Sequence, residues 1–269
     1  MLIAQITDLH LGPPGSENAD QAASVADPIA NARATLEAVA GLARRPDLVV
    51  LTGDLADKGE VDAYIWLDAE LARHGIPAYV IPGNHDLRAP MRDVFGRREY
   101  LPADGFMQYV VDAGDTRLIA VDTVIEHETR GLVCVERRAW LAARLEEDRE
   151  TPTIIMMHHQ PFHTGGPFDD IGIEGREDLE AVIGAAPNVI RIICGHMHRD
   201  ILASWAGTTV SVCPSSAFQF DLNHADPTTF RVRAEPPSYH LHEWTKATGL
   251  VTYTGTVGSF TVIKERARP

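Results

Sequence analysis

The sequence is poor in cysteine, and its three cysteines suit neither a disulfide framework nor a thiolate metal site. Cys134, Cys194 and Cys213 are odd in number and lie far apart along the 269 residues. Disulfide scaffolds carry even numbers of cysteines, and cysteine zinc sites carry closely spaced pairs. Because 45% of the residues are hydrophobic, a chain of this length can bury a core without such cross-links.

The sequence also lacks a long apolar run and an export signal. No stretch reaches the ~18–20 apolar residues that a membrane span needs. Met1 is followed by Leu-Ile-Ala-Gln-Ile and then by polar Thr7 and Asp8, whereas a signal peptide has a basic start and a longer apolar segment. We therefore expect a cytoplasmic protein that does not engage a membrane.

Positive charge is scarce as well. The chain has 24 Lys and Arg against 38 Asp and Glu, which gives a formal net charge of −14. Proteins that grip a nucleic-acid backbone carry a basic surface, so a long nucleic acid is disfavoured as a partner. A small anionic substrate remains compatible with this charge, because bound cations reverse the local field.

Short apolar segments alternate with helical patterns over the first two-thirds of the chain. Segments rich in Val and Ile predict buried strands at residues 2–7, 48–52, 78–81, 153–157 and 189–194. Helices are predicted from Pro28 to about Arg44, at 60–74 and at 136–148. Residues 107–111 and 117–122 predict a hairpin. This alternation indicates an α/β fold.

The character of the chain changes near residue 200. Short strands parted by Gly, Pro and Asp are predicted at 201–205, 208–213, 230–232, 239–244 and 250–253. We expect residues 1–269 to form a single domain. In this prediction the strand-rich region from about 200 to 269 completes a second sheet and could add a small cap.

Each of the five buried strands predicted in the first two-thirds is followed by Asp, Asn or His. In chain order these residues are Asp8, His10, Asp54, Asn84, His85, Asp86, His158, His159, His196 and His198. The carboxyl ends of strands are where α/β sheets place their sites. Each residue alone is a weak signal, but the ordered set leaves little room for chance.

The chemistry of this set indicates a dinuclear metal site. Imidazole, carboxylate and amide ligands without thiolate suit Fe, Mn, Co or Zn. Seven of these residues are candidate ligands: Asp8, His10, Asp54, Asn84, His158, His196 and His198. Seven ligands exceed the four of a tetrahedral zinc and fit two metals about 3.5–4 Å apart that share a carboxylate. Two such cations would lower the pKa of a bound water toward ~7 and supply hydroxide at neutral pH.

The ordered motifs resemble those of calcineurin-like metallophosphoesterases over roughly the first 200 residues. The motifs are Asp8-x-His10, Gly53-Asp54, Gly83-Asn84-His85-Asp86, His158 and Gly195-His196-x-His198. The segments 5–10, 81–86 and 157–159 are most similar to the bacterial branch of that family, which contains class III cyclic nucleotide phosphodiesterases and glycerophosphodiesterases. Pro82 and Asp86 stand where the protein phosphatase branch has Arg and Glu, which argues against protein phosphatase activity.

The resemblance implies a four-layer αββα sandwich of two mixed β-sheets flanked by helices, with a dinuclear metal site at the carboxyl ends of strands. It implies that Asp54 bridges two metals and that His85 contacts the phosphate or acts as an acid. The implied ligands are Asp8, His10 and His198 for the first metal, and Asn84, His158 and His196 for the second. Gln160 departs from the Pro that close relatives usually have. Relatives often oligomerise, so we expect a homo-oligomer, a dimer or higher.

We therefore expect a phosphodiesterase that hydrolyses cyclic nucleotides or glycerophosphodiesters by attack of a hydroxide bridging two metals. His85 and Asp54 are the predicted catalytic residues, and the candidate substrate contacts are Asn84, His85, His159 and His163. A nuclease, a phosphomonoesterase on the same site and a non-catalytic metal-binding scaffold are the alternatives. A scaffold would be expected to lose ligands, and every matched position is retained. For Asp86 we favour a role as cap of the following helix.

Overall fold

The fold is an α/β arrangement of two large sheets. The computed structural model describes residues 1–12, 27–166, 168–222, 231–264 and 266. Its strands are β1 (Leu2–Ile6), β2 (Leu48–Thr52), β3 (Ala78–Ile81), β4 (Tyr109–Ala113), β5 (Thr116–Ala120), β6 (Gly131–Leu132), β7 (Thr153–Met156), β8 (Ile173–Glu174), β9 (Val189–Cys194), β10 (Ile201–Trp205), β11 (Thr208–Val212), β12 (Gln219–Phe220), β13 (Val232–Arg233), β14 (Ser238–Thr245) and β15 (Gly249–Thr256). Its helices are α1 (Pro28–Ala40), α2 (Val61–His74), α3 (Arg88–Phe95), α4 (Val135–Glu147) and α5 (Arg176–Gly184), with a 3-10 turn at Asp169–Ile171.

Both large sheets are mixed. The first has the order β15-β14-β1-β2-β3, in which β1, β2 and β3 are parallel and β14 and β15 are antiparallel additions. The second has the order β10-β11-β9-β7-β5-β4, with four parallel central strands and an antiparallel strand at each edge. The carboxyl ends of the strands predicted to carry the site therefore point to a common edge of each sheet.

Alternation along β7 shows how the layers stack. Ile154 and Met156 lie in the core cluster that contains the strands of the first sheet, together with Leu36 of α1. Ile155 and Met157 point the other way and pack in the cluster that contains Leu141 of α4 and residues of α5. Because successive strand residues face opposite sides of a sheet, the two sheets pack face to face with helices outside. This confirms the predicted αββα sandwich.

Local sequence signals set the helix ends. The Asp27 side chain accepts a hydrogen bond from Ala30 N, and Pro28 occupies the first turn of α1, as helix starts favour. Gly75 ends α2 in the left-handed conformation, with φ 61°. Helix α1 ends at Ala40, earlier than the predicted Arg44. Helices α3 and α5 were not delimited from sequence, because eight or nine residues give little periodicity.

The C-terminal strands are divided between the two sheets, so the prediction that they complete the second sheet needs correcting. β10 and β11 do join the second sheet, but β14 pairs with β1 and brings β15 into the first. This pairing covers the free edge of β1 and buries Tyr239, His240 and His242. Residue 230 of the predicted strand 230–232 lies outside the described residues.

Within the described ranges, none of the helices has the length and apolar character needed to traverse a bilayer.

Candidate metal centre

The turns that follow β1, β2 and β9 hold strained backbone. Five non-glycine residues there have φ between 45° and 71°: Asp8, His10, Asp54, His196 and His198. Each such conformation costs of order 1–3 kcal/mol and persists only where the surroundings enforce it, typically at functional sites. A Cβ on Gly195 would lie 2.1 Å from Thr7 Oγ1, so this turn approaches the β1 turn too closely for a side chain.

One set of donor atoms converges from β1, β2 and β9. Asp8, His10, Asp54 and His198 each offer a ligand atom, and these atoms lie within 4.8 Å of one another. His10 Nε2 is 3.1 Å from His198 Nε2, and His198 Nε2 is 3.3 Å from Asp8 Oδ1. All four residues are buried. Two imidazoles and two carboxylates aimed at one point are a donor set that a divalent cation fits.

A second set lies on the other side of Asp54. His158 Nε2 is 3.1 Å from Asn84 Oδ1 and 3.4 Å from Asp54 Oδ2. The ring centroid of His196 is 5.0 Å from that of His158. Asp54 Oδ2 is also 3.7 Å from His10 Nε2 in the first set. The Asp54 carboxylate therefore stands between the two groups, where a bridging ligand would be needed.

The remote ring nitrogens of these histidines are held by the protein. His158 Nδ1 donates to Thr52 O at 2.8 Å, His196 Nε2 to Ile171 O at 3.0 Å and His198 Nδ1 to Phe218 O at 2.9 Å. His10 Nδ1 lies 3.4 Å from the Asp57 carboxylate. Metal-binding histidines characteristically donate their other N–H in this way, which fixes the tautomer and leaves one lone pair for the metal.

Electrostatics keep the carboxylates ready to bind cations. Burial alone would raise the pKa of Asp54, but the neighbouring His158 and His85 hold that pKa well below its usual value. Burial lowers the pKa of His158, yet the Asp54 and Asp8 carboxylates outweigh it and raise this pKa to about 9. The site therefore holds its carboxylates ionised, and divalent cations would replace the balancing proton.

Comparison with known proteins agrees with this geometry. A sequence profile described as calcineurin-like phosphoesterase matches residues 1–200. The chain belongs to this family. It is 30% identical over 247 residues to the glycerophosphodiester phosphodiesterase GpdQ of Enterobacter lignolyticus, covering 90% of this chain and 86% of that protein. It is 27% identical over 219 residues to the 3′,5′-cyclic adenosine monophosphate phosphodiesterase CpdA of Escherichia coli, covering 81% of this chain and 77% of that one.

Solved structures support the fold of this phosphoesterase. A dimetal phosphatase from Danio rerio superposes with a TM-score of 0.59 at 16% identity, over 96% of this chain and 99% of that one. A purple acid phosphatase from yellow lupin gives a TM-score of 0.63 at 16% identity, over 98% of this chain and 57% of that one. The family uses a dinuclear metal site, and the two donor sets that share Asp54 are compatible with one.

His85 lies at the open side of the centre. Its Nδ1 donates to Asp57 O at 2.7 Å, and its side chain is 39% exposed. Its ring contacts that of His10 edge-on, with centroids 4.6 Å apart. Burial lowers the pKa of His85, but the Asp54 and Asp57 carboxylates outweigh it and hold that pKa above its usual value. With Nδ1 engaged, Nε2 is the ring nitrogen left to meet a substrate.

Asp86 does not cap the helix that follows, contrary to the sequence-based interpretation. Leu87 is the residue at the start of α3. The buried Asp86 carboxylate instead accepts hydrogen bonds from Leu55 N, Ala56 N, Gly83 N and Tyr64 Oη at 2.9–3.1 Å. It ties the turn that carries Asp54 to the turn that carries Asn84, so its role is to hold the two together.

The two remaining histidine candidates for substrate contact, His159 and His163, are not among the residues that line the cavity beside His85. His159 is buried, and both its ring nitrogens are engaged, by Thr123 Oγ1 at 2.7 Å and Thr129 O at 3.0 Å. One of its ring nitrogens lies within 4.8 Å of ring nitrogens of His158 and His196. Because both of its nitrogens are already hydrogen-bonded, neither has a free lone pair for a metal. His163 is exposed and faces the Asp169 carboxylate at 3.4 Å.

Some supporting residues gave no sequence signal. The carbonyls of Thr52, Ile171 and Phe218 orient three of the histidines, and any residue type supplies a carbonyl. The Phe218 ring lies 5.1 Å from that of His10 and 4.7 Å from that of His198, and nothing in the local sequence indicates these contacts. Asp57 could have been noticed, because it follows the Gly53-Asp54 motif by three residues and supplies a carboxylate to His10.

Proposed function

We propose that this chain, acting as a single domain, is a two-metal phosphodiesterase that hydrolyses small phosphodiesters. The observation that carries this proposal is the pair of donor sets that share the Asp54 carboxylate. We assign Asp8, His10 and His198 to one cation, Asn84, His158 and His196 to the other, and Asp54 to both. Two cations held there would lower the pKa of a bound water and neutralise charge on the phosphoryl group.

A side chain of the protein can also supply the proton that the reaction needs. A water oxygen forms a new bond to phosphorus, the bond from phosphorus to the leaving alcohol breaks, and the leaving oxygen needs a proton. His85 can supply it from Nε2, because the bond from Nδ1 to Asp57 O fixes its ring and leaves Nε2 available. One proton of the water is released when the hydroxide forms, the other stays on the product phosphate, and solvent returns a proton to His85.

The relatives support a small diester as the substrate. One is named a glycerophosphodiester phosphodiesterase and another a cyclic adenosine monophosphate phosphodiesterase, and both substrates are compact phosphodiesters. A nuclease acting on long DNA is disfavoured by the net charge of −14. The ligand types accept Fe, Mn, Co or Zn, so we propose reconstitution with each metal in turn.

A substrate panel tests the proposal directly. The metal-reconstituted protein would be assayed on a nitrophenyl phosphodiester, the matching monoester, 3′,5′- and 2′,3′-cyclic AMP and glycerophosphoethanolamine. We expect kcat/KM to be highest on a diester and activity to vanish with a chelator. Activity confined to the monoester would contradict the proposal, as would no hydrolysis by protein shown to hold two metals.

The role of His85 is tested by its removal. We expect His85→Ala to keep both metals and to lose roughly 10²–10⁴-fold in kcat, the usual contribution of general acid–base catalysis. The loss should shrink for nitrophenolate, which leaves without a proton, and grow for alkyl alcohols. His74→Ala is the matched control, because His74 ends α2 at the opposite edge of the sheet. An equal loss at every leaving-group pKa would leave His85 only a positioning role.

A further inference from the structure

A polar cavity adjoins His85 on the open side of the metal centre. It has a volume of about 270 Å³, and its lining includes His85 and Asn84, which we assign to a metal. Lys58, from the loop after β2, also lines it, as do Glu128 and Thr129. Those two residues belong to a segment between β5 and β6 that we call the pocket loop, residues 124–130. A group bound in the cavity would lie beside the side chain of His85.

The pocket loop is anchored at both ends. The Arg88 guanidinium donates to the buried Asp122 carboxylate at 2.7 and 2.8 Å, and also to Val124 O at 2.8 Å. At the other end, His159 Nε2 donates to Thr129 O at 3.0 Å. Between the anchors, His127 has φ 69°, a costly conformation for a residue with a side chain. The wall is therefore built in place, and its polar side chains face the cavity from a fixed backbone.

The lining consists largely of hydrogen-bonding groups. Among the described residues that line it, Leu87 is the single aliphatic side chain, and there is no Phe, Tyr or Trp on which a base could stack. The exposed Lys58 ammonium has no carboxylate within 4.0 Å in the described parts of the chain. Glu128 lines the same cavity from the pocket loop and pairs with Arg130 at 2.6 Å. A cationic donor and the carboxylates of Glu128 and Asp57 therefore line one small cavity.

Hydroxyl groups are the ligand chemistry that fits this lining. A vicinal diol can accept from the Lys58 ammonium and donate to the Glu128 carboxylate at the same time, and the Thr129 hydroxyl can do either. An aliphatic alcohol would leave these groups without partners, which lowers affinity. A site that hydrogen-bonds the hydroxyl groups of its substrate discriminates strongly against an analogue that lacks them.

We propose that this cavity binds the leaving alcohol and selects a vicinal diol through Lys58 and Glu128. The proposal rests on the phosphodiesterase function given above and narrows its substrate class. Glycerol esters and ribose esters share this chemistry, so the test has an arm for each. In this proposal the polar side chains of the cavity determine which diester is preferred, and the metal centre provides the hydrolytic activity.

Matched ester pairs test the proposal. The first pair is methyl glyceryl phosphate and methyl propyl phosphate, which differ only in two hydroxyl groups, with the released alcohol measured. The second pair is the methyl ester of adenosine 5′-phosphate, whose ribose has a free 2′,3′-diol, and its 2′-deoxy analogue. We expect wild type to prefer the hydroxylated member of one pair. Lys58→Met and Glu128→Gln should each lower that kcat/KM preference on the order of 10-fold, the effect of one hydrogen bond to a charged group.

Lys246→Met is the control for Lys58→Met, because Lys246 lies exposed in the turn between β14 and β15. It should leave the preference unchanged. An equal loss on both members of a pair in Lys58→Met would mean that Lys58 contacts the phosphate, and the proposal would fail. Wild type with no preference in either pair would also overturn it. Failure of wild type to cleave any diester would instead refute the phosphodiesterase function.

Discussion

Replacing Gln5 by leucine should destabilise the protein from a position that does not contribute a metal ligand. Gln5 is completely buried in β1. Its Nε2 donates to Thr52 Oγ1 and to Cys194 O, both at 2.9 Å, and its Oε1 accepts from His242 Nε2 at 2.9 Å. These bonds join β2, β9 and β14 across the space between the two sheets.

The energetic effect follows from the partners that Gln5 would leave behind. Burial holds the pKa of His242 well below its usual value, so the ring is neutral, with Nδ1 accepting from the Thr252 hydroxyl at 2.9 Å and Nε2–H needing an acceptor. Stranding that buried donor costs about 1–3 kcal/mol, and the lost bond to Thr52 about 1 kcal/mol more. Cys194 O keeps a bond from Cys213 N. These losses sum to about 2–4 kcal/mol, and the apolar leucine side chain offsets part of them, leaving about 1–3 kcal/mol.

A double-mutant cycle isolates the interaction. The free energy of unfolding would be measured by urea denaturation for wild type, Gln5→Leu, His242→Phe and the double variant, with metal and with chelator. Each single variant strands a partner, whereas the double variant removes both polar groups, which can be nearly neutral. We expect a coupling energy of about 1–2 kcal/mol. Additive losses, within about 0.5 kcal/mol, would refute the view that Gln5 and His242 act as a pair.

Three further predictions concern the metals and assembly. Elemental analysis of reconstituted protein should find two metals per chain, because Asp54 is shared by two donor sets; full activity with one tightly bound metal would contradict this. Asn84→Ala should lose activity that added Mn²⁺ or Co²⁺ partly restores, since a neutral amide is a weak ligand; no restoration in a folded variant would remove Asn84 from the ligand set. Light scattering at micromolar concentration should give at least a dimer, in keeping with exposed Leu202 and Tyr253 on the edge strands β10 and β15; a monomer mass would refute it.

The ligand positions were predictable because two simple patterns coincide. A short run of Val and Ile predicts a buried strand, and a polar residue directly after it lies at the carboxyl edge of the sheet. Strands β2, β3 and β9 have the predicted bounds, and β1 and β7 end one residue earlier. Asp8, Asp54 and His196 therefore lie where the sequence placed them. The glycine before two of them, Gly53 and Gly195, reports a turn with no room for a side chain.

Other parts of the fold depend on contacts between distant residues and could not be predicted. The pairing of β14 with β1 joins residues about 240 positions apart, as in Ile3 with His242, and no local pattern reports it. The hydrogen bonds that the Asp86 carboxylate accepts from backbone amides of the turn after β2 likewise join residues about 30 positions apart. In both cases the residue type was visible in the sequence, but its partner was not.

The two halves of the proposed site differ in how they are built. The half assigned to the phosphate is buried, is formed by strand ends in strained conformations, and is fixed by groups such as Gln5 and Asp86 that make several hydrogen bonds each. The half assigned to the alcohol lies on an exposed loop held mainly by Arg88 and His159. A substitution in the buried half strands polar groups and loses stability with activity. A substitution at exposed Glu128 leaves no buried polar group without a partner, because water can replace Glu128 as the hydrogen-bond partner of Arg130. Substrate preference can therefore change in the pocket loop while the metal centre stays intact.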